Sequence, residues 1–197
     1  MKPLTIFFLL LAAISCKRAN RQFTFEESKF FSAYKPGDTL LFESSQNDID
    51  TFSVITIDSS LRTHLGFFAN EIQNDKIIFI RQLPIDTSRG ATEEFIRKNR
   101  LDHHEFLSAH KRPEEQTIMY CIRFNGFESC TQNSFGEFID TVTIKGRKFK
   151  DCYTFRNQKL RSDSSSEKIV TIYWTVNAGL IAYKCVNGTD WVRKNIR

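Results

Sequence analysis

The sequence predicts a mainly β protein, α+β by strict count: a single antiparallel curved sheet, a sandwich or half-barrel, with a helical insertion near residues 92–110. Three observations predict it. Residues 168–176 place Val170, Ile172, Trp174 and Val176 on one side and Ile169, Thr171, Tyr173 and Thr175 on the other, the period of two of a strand with a core face. Asn125-Gly126 and Asn177-Ala178-Gly179 sit between apolar runs, and Asn-Gly is the strongest short hairpin signal because both central positions of a type I′ turn take positive φ. Of 197 residues 41% are hydrophobic and 13% aromatic, with 8 glycines and 4 prolines. That is enough apolar surface to exclude disorder, and too little glycine and proline for collagen-like or low-complexity classes. One domain is expected at this length.

At the N-terminus Lys2 precedes an apolar run over residues 4–14, which closes on Ala12, Ala13, Ile14, Ser15 and Cys16. The run is far short of the roughly 20 residues a helix needs to cross a ~30 Å hydrocarbon core. A basic start, a short apolar centre and small residues before a cleavage point form a secretory signal. Residues 12–16 resemble the lipobox of bacterial lipoproteins, with Ala13 where leucine is usual. The resemblance implies a lipoprotein signal peptide over 1–15, lipidation of Cys16 and membrane lipid as a partner through the acylated cysteine. Residues 16–22 would then be a lipidated tether and 23–197 a single antiparallel β domain. The alternative is an ordinary signal peptide in which Cys16 is incidental.

Loss of residues 1–15 removes Lys2 and leaves 27 basic residues against 23 acidic, a formal charge of +4. The cations gather at Lys145, Arg147, Lys148 and Lys150, at Arg156, Lys159 and Arg161, and at Arg193, Lys194 and Arg197. They suit a face attracted to anionic lipid or polysaccharide, or strand edges and loops kept soluble by charge. Nucleic acid is not expected, because an exported, lipid-anchored chain does not meet it.

Residues 23–34 carry Phe23, Phe25, Phe30, Phe31 and Tyr34, a strand end and a helical turn closing one end of the core, broken by Pro36-Gly37. Residues 38–45 and 49–58 form a hairpin across Gln46, Asn47 and Asp48. A second hairpin joins 65–73 to 76–83 through Asn74-Asp75, and the consecutive Ile77, Ile78, Phe79 and Ile80 place cover on both faces of its second strand. Residues 86–112 are expected to be helical. Thr92 caps Glu93 and Glu94, and Asp102 with Glu105 makes a second capping box stapled by Leu101 and Phe106, so two short helices or one bent helix satisfy both. Phe95, Ile96, Leu101, Phe106 and Leu107 among charged neighbours leave one side to bury across an end or face of the sheet. Pro113 ends the segment. Strands follow at 118–124, 127–131, 138–144, 148–156, 168–176 and 180–186 with a short end at Trp191, a meander of hairpins with a hydrophilic, serine-rich loop at 161–167.

Residues 34–42 (Tyr34, Lys35, Pro36, Gly37, Asp38, Thr39, Leu40, Leu41, Phe42) and the closing Tyr173, Trp174, Gly179, Leu180, Ile181, Gly188 and Trp191 resemble small uncharacterised envelope lipoproteins of the Bacteroidetes. The resemblance implies an antiparallel sheet and a cell-envelope location, and no activity. In that group an acidic patch after the lipidated cysteine is associated with export to the surface. Lys17, Arg18, Ala19 and Asn20 depart from it, which favours an anchor facing the periplasm.

Four further cysteines, Cys121, Cys130, Cys152 and Cys185, are an even number for an oxidising compartment. A two-residue loop at Asn125-Gly126 sets Phe124 opposite Phe127, Arg123 opposite Glu128 and Cys121 opposite Cys130. The cysteines fall at a non-hydrogen-bonded position where Cα atoms lie about 4.5 Å apart, within reach of a disulfide. The alternative is two buried free thiols. Cys152 and Cys185 have the strand of Trp174 between them in a simple meander, roughly two spacings of about 4.8 Å, too far to bond; either they are free or the strand order is not simple.

There is no G-x-S-x-G elbow, H-E-x-x-H pair, phosphate loop or dinucleotide fingerprint, so no catalytic residue and no cofactor are assigned. His103 and His110, seven residues apart on a helix, lie about 10.5 Å apart along its axis, too far to share a metal ion, and no metal is expected. Asn187-Gly188-Thr189 matches a glycosylation sequon, and Asp38-Thr39-Leu40 and Asp140-Thr141-Val142 resemble the short O-glycosylation motif of Bacteroidetes envelope proteins. Three functions stay open. The first is a lipid-anchored binding or accessory module whose concave aromatic face takes an apolar ligand, a glycan or an envelope protein, with 19 phenylalanines to line it or to fill a packed core. The second is an envelope hydrolase using carboxylates such as Glu43, Asp50 or Glu71 in a cleft. The third is a purely structural envelope component. Two convergent carboxylates of raised pKa would favour the enzyme, an open apolar cavity the binder.

Overall fold

Alternating apolar residues and two-residue turns build eleven antiparallel strands, each seeking cover for one face. In the computed structural model, which describes residues 22–65, 70–88, 90–112, 116–157 and 168–196, they form one sheet. The strands are β1 (Thr39–Ser44), β2 (Ile49–Leu65), β3 (Asn70–Leu83), β4 (His104–Arg112), β5 (Thr117–Phe124) and β6 (Phe127–Gln132), then β7 (Glu137–Ile144), β8 (Arg147–Arg156), β9 (Ile169–Thr175), β10 (Gly179–Cys185) and β11 (Asp190–Arg193). Their order is β6-β5-β4-β3-β2-β1-β11-β10-β9-β8-β7. The first and last strands pair at its centre, and the two edges, β6 and β7, are consecutive in the chain. The sheet therefore curls into a half-barrel with a seam between β6 and β7. Curling brings Phe124 of β5 to 5.3 Å from Tyr183 of β10, and Phe106 of β4 to 5.5 Å from Trp174 of β9 (ring centroids).

The concave face is filled from the N-terminal side. A one-turn helix, α1 (Phe25–Ser28), runs into a 3-10 turn over Lys29–Phe31. The Thr24 hydroxyl accepts the Glu27 N–H while the Glu27 carboxylate accepts the Thr24 N–H, a complete capping box. Phe30, Phe31 and Tyr34 then enter the core, as expected for a turn that closes one end. Phe30 stacks on Phe135 from the β6–β7 link at 3.6 Å, and the buried Tyr34 hydroxyl accepts the Leu180 N–H at 2.6 Å. The aromatic side chains thus occupy much of the concavity as a packed core.

Two expected elements are corrected. Thr92 caps a helix, α2 (Glu93–Lys98), through the Phe95 N–H, but the second helical turn is absent: residues 104–112 are strand β4. Its Leu107 lies between Ile78 of β3 and Ile122 of β5, and a helix there would leave both neighbours as unpaired edges. A bulge opposite Ile78 and Phe79 lets Phe106 and Leu107 both reach the core, which disguises the period of two. Asp102, read as a cap, is instead buried in an ion pair with Arg81. The turn placed at Asn74-Asp75 is also wrong. Both residues lie inside β3, opposite Leu61 and Ser60 on one side and Lys111 and His110 on the other, and the β2–β3 connection lies at 66–69, outside the described residues. The polar dipeptide imitates a turn because Asp75 is buried against charge: it meets Arg62 and His110 at 2.8 Å each.

The remaining hairpins fall where expected. Asn125 and Gly126 take φ of 45° and 76°, the register sets Phe124 opposite Phe127 and Arg123 opposite Glu128, and Cys121 and Cys130 are bridged with Cα atoms 4.1 Å apart. Cys152 and Cys185 form no disulfide and are buried on β8 and β10 with β9 between them, and burial pushes the Cys152 thiol up to about 11. The signal segment, Cys16, most of the tether and the serine-rich loop lie outside the described residues.

Candidate functional site

At one end of the half-barrel the β5–β6 turn lies across the mouth, facing the start of β2, the end of β3 and the β10–β11 turn. Pairing decides which side chains point in. Asp50 is opposite Phe42, so it shares the inner face with Phe42 and Tyr183. A band of rings follows: Phe52 to Phe124 at 4.7 Å, Phe124 to Tyr183 at 5.3 Å, and Tyr183 stacked on Trp191 at 5.5 Å with planes 13° apart. Asn125, held at the turn by its positive φ, borders a groove on both sides. On one side a cavity of about 620 Å³ has Phe52, Ile80, Phe124 and Phe127 beneath and His103, His104, Glu105, Arg123 and Glu128 around it. On the other, a smaller one of about 210 Å³ is lined by Asp48, Asp50, Tyr183, Asn187 and Trp191 among others. The larger volume is in the range of small-ligand sites.

The polar groups of the groove are held in place. Asp50 accepts the Tyr183 hydroxyl at 3.0 Å and the Gln82 amide at 3.2 Å, yet burial outweighs both and raises its carboxyl above the ordinary range. Burial, and then the neighbouring Asp50 charge, raises the Tyr183 hydroxyl. Opposite them Arg123 lies between Glu105 and Glu128, its Nε 3.1 Å from the latter. Burial lowers the pKa of His103 despite the nearby Asp102.

Of the three carboxylates considered for hydrolysis, only Asp50 is in the groove. Glu43 lies one residue from Phe42 on β1, hence on the opposite face, where Lys194 at 2.9 Å holds its carboxyl below the ordinary range. Glu71 is opposite His64 on β3, and its side chain lies outside the described residues. The sheet therefore separates Asp50 from Glu43. His103 and His104 reach the groove, whereas His110 lies farther along β4. Among the described residues no group of three or more His, Cys, Asp or Glu could hold a metal ion. Several of the clustered cations are structural: Lys145 donates to the Ser44 carbonyl at 2.6 Å, Arg147 to the Arg193 carbonyl at 3.1 Å, and the buried Arg193 to the Ala178 carbonyl at 2.6 Å.

One arrangement escaped sequence reasoning. On the convex face Asp75 Oδ1 lies 2.8 Å from His110 Nδ1, and His110 Nε2 lies 3.1 Å from Ser108 Oγ, the spacing of a nucleophilic triad. The hydroxyl is wholly buried and its proton goes to Glu105 Oε1 at 2.7 Å, which in turn pairs with Arg123. His110 borders a surface cavity of about 400 Å³, but the hydroxyl that would attack is buried and committed to Glu105, so the set is a polar chain tying β3, β4 and β5 together. Reading 104–112 as a strand would have shown Ser108 and His110 on one face; the helical assignment hid it.

No protein-family model, curated protein or solved structure matches the chain.

Proposed function

We propose that the chain is a lipid-anchored cell-envelope binding module, held to a membrane by acylated Cys16, whose groove takes an extended glycan. The observation that carries this reading is the pair of cavities flanking Asn125, where the partly exposed Trp191 ring, backed by the buried Tyr183, Phe124 and Phe52, meets a rim of amides and carboxylates. Sugar rings present apolar C–H faces that lie on an accessible aromatic ring, here Trp191, and hydroxyls that exchange hydrogen bonds with Asn125, Asn187 and Asp50. The groove's position also supports it. The Gln22 carbonyl accepts the Lys111 ammonium at 2.9 Å, so the tether leaves the domain beside Lys111 and Ile118. Asn125 is seven residues farther along the β5 hairpin, about 23 Å at ~3.3 Å per residue. An anchor at Cys16 then turns the groove away from the membrane, toward periplasmic polymers.

Calorimetric titration of the purified protein with oligosaccharides released from bacterial envelope polymers tests it. Wild type should bind a fragment of several sugar units, and Trp191→Ala, titrated well below its own melting temperature because the ring also packs on Tyr183, should weaken that affinity by at least tenfold. Absence of binding to any fragment, or equal affinity in the variant, would exclude a glycan in this groove.

A further inference from the structure

Strand β7 is the sheet's last strand, and among the described residues nothing pairs with its outer edge. Such edges are commonly short, interrupted by proline or guarded by lysine. β7 has none of these protections: Glu137, Phe138, Ile139, Asp140, Thr141, Val142, Thr143 and Ile144 run for eight residues, mostly β-branched, and Phe138 is 56% exposed. Its outward backbone groups follow from the turn. Lys145 and Gly146, with φ of 48° and 73°, make a two-residue hairpin, so Ile144 and Arg147 form the hydrogen-bonded pair beside it. The same register holds on both sides of Asp140 as far as Glu137 opposite Thr154, although Asp140 itself is not paired with Asp151, whose φ is 51°. Alternation then turns the N–H and C=O of Glu137, Ile139, Thr141 and Thr143 outward.

We propose that this edge binds a second copy of the chain, β7 against β7 antiparallel, with Thr141 on the two-fold axis. A ladder needs outward residues of one copy opposite outward residues of the other, which excludes every register joining odd positions to even ones. The register centred on Asp140 satisfies the backbone but sets two carboxylates face to face. Centring on Thr141 pairs Ile139 with Thr143 twice, Phe138 with Ile144 twice and Asp140 with Val142 twice. It also brings Glu137 opposite Lys145 at both ends, where the ammonium has spent one of its three protons on the Ser44 carbonyl. Each Asp140 carboxylate keeps the Thr141 hydroxyl as its local donor at 3.2 Å. The arrangement is self-complementary in its backbone hydrogen bonds and in the Glu137–Lys145 pairs at its two ends, as an isologous interface must be.

Cysteine cross-linking of the purified full chain tests the register. At the axis the hydrogen-bonded Thr141 pair has Cα atoms about 5.5 Å apart, within the range of a disulfide. Two Thr143 residues would be four positions, about 14 Å, apart. Copper-phenanthroline oxidation should convert Thr141→Cys to a reducible dimer at several times the yield of Thr143→Cys, while the double variant Ile139→Cys/Thr143→Cys should dimerise as well as Thr141→Cys. Cys152 and Cys185 are buried and give the wild-type background. Equal yields from Thr141→Cys and Thr143→Cys, or no dimer from either Thr141→Cys or the double variant when both melt as wild type does, would overturn the proposal.

Discussion

Replacing Phe135 with alanine is expected to lower the free energy of unfolding by about 3–5 kcal/mol, read from the urea midpoint at unchanged slope. The residue sits in the four-residue link between β6 and β7, where no strand pairing joins the two edges. Its ring does the joining. It stacks on Phe30 at 3.6 Å and meets Phe155 at 4.9 Å, Tyr120 at 5.4 Å, Trp174 at 5.5 Å and Tyr153 at 5.6 Å, so it connects the N-terminal turn with β5, β8 and β9. Truncation leaves a cavity that neighbouring rings, held by the sheet, cannot close. The half-exposed Phe138 three residues on is the control, and its alanine variant should cost less than about 1 kcal/mol. A loss at Phe135 no larger than that at Phe138 would mean that the seam is held by something other than this aromatic plug.

Gly179→Ala is expected to destabilise the domain by about 3 kcal/mol or more, from two independent causes. Gly179 has φ of +72°, where a residue with a Cβ is strained by about 1–3 kcal/mol. The added Cβ would also overlap the Tyr34 ring and hydroxyl. Tyr34 cannot retreat without leaving the buried Leu180 N–H unpaired, which costs a further ~1–3 kcal/mol. The steric part is separable. In the background of Tyr34→Leu, which already lacks the ring and the hydroxyl, Gly179→Ala should cost only the backbone strain, so a double-mutant cycle should show coupling of 1 kcal/mol or more. Additive losses would show that Tyr34 and Gly179 do not touch as described.

The strands from β5 onward were legible in the sequence because each hairpin carries its own turn chemistry. Asn125-Gly126 alone fixed the register that opposes Cys121 and Cys130. Legibility failed where tertiary pairing overrode a local signal. Asp102 and Glu105 have the spacing of a capping box, but Leu107 is claimed by strands on both sides and Asp102 by Arg81. Asn74-Asp75 has the composition of a turn, but its carboxylate is met by side chains distant in sequence, Arg62 and His110. Of the groove, Asp50 and His103 stand out in the sequence, whereas Tyr183, Trp191 and Asn125 carry no mark of a binding site there. Their convergence depends on how far the sheet curls, and no local pattern encodes a contact between β5 and β10.

Whether a glycan enters the groove beside Asn125 and Trp191 is decided by amide chemical-shift mapping of the domain with a saturating oligosaccharide. Perturbations should concentrate at Asn125, Gly126, Asp50, Asn187 and the Trp191 indole, with Lys111 and Met119 unmoved. Perturbations centred on the convex face or on the Lys111 end, with the groove signals unchanged, would contradict glycan binding in the groove.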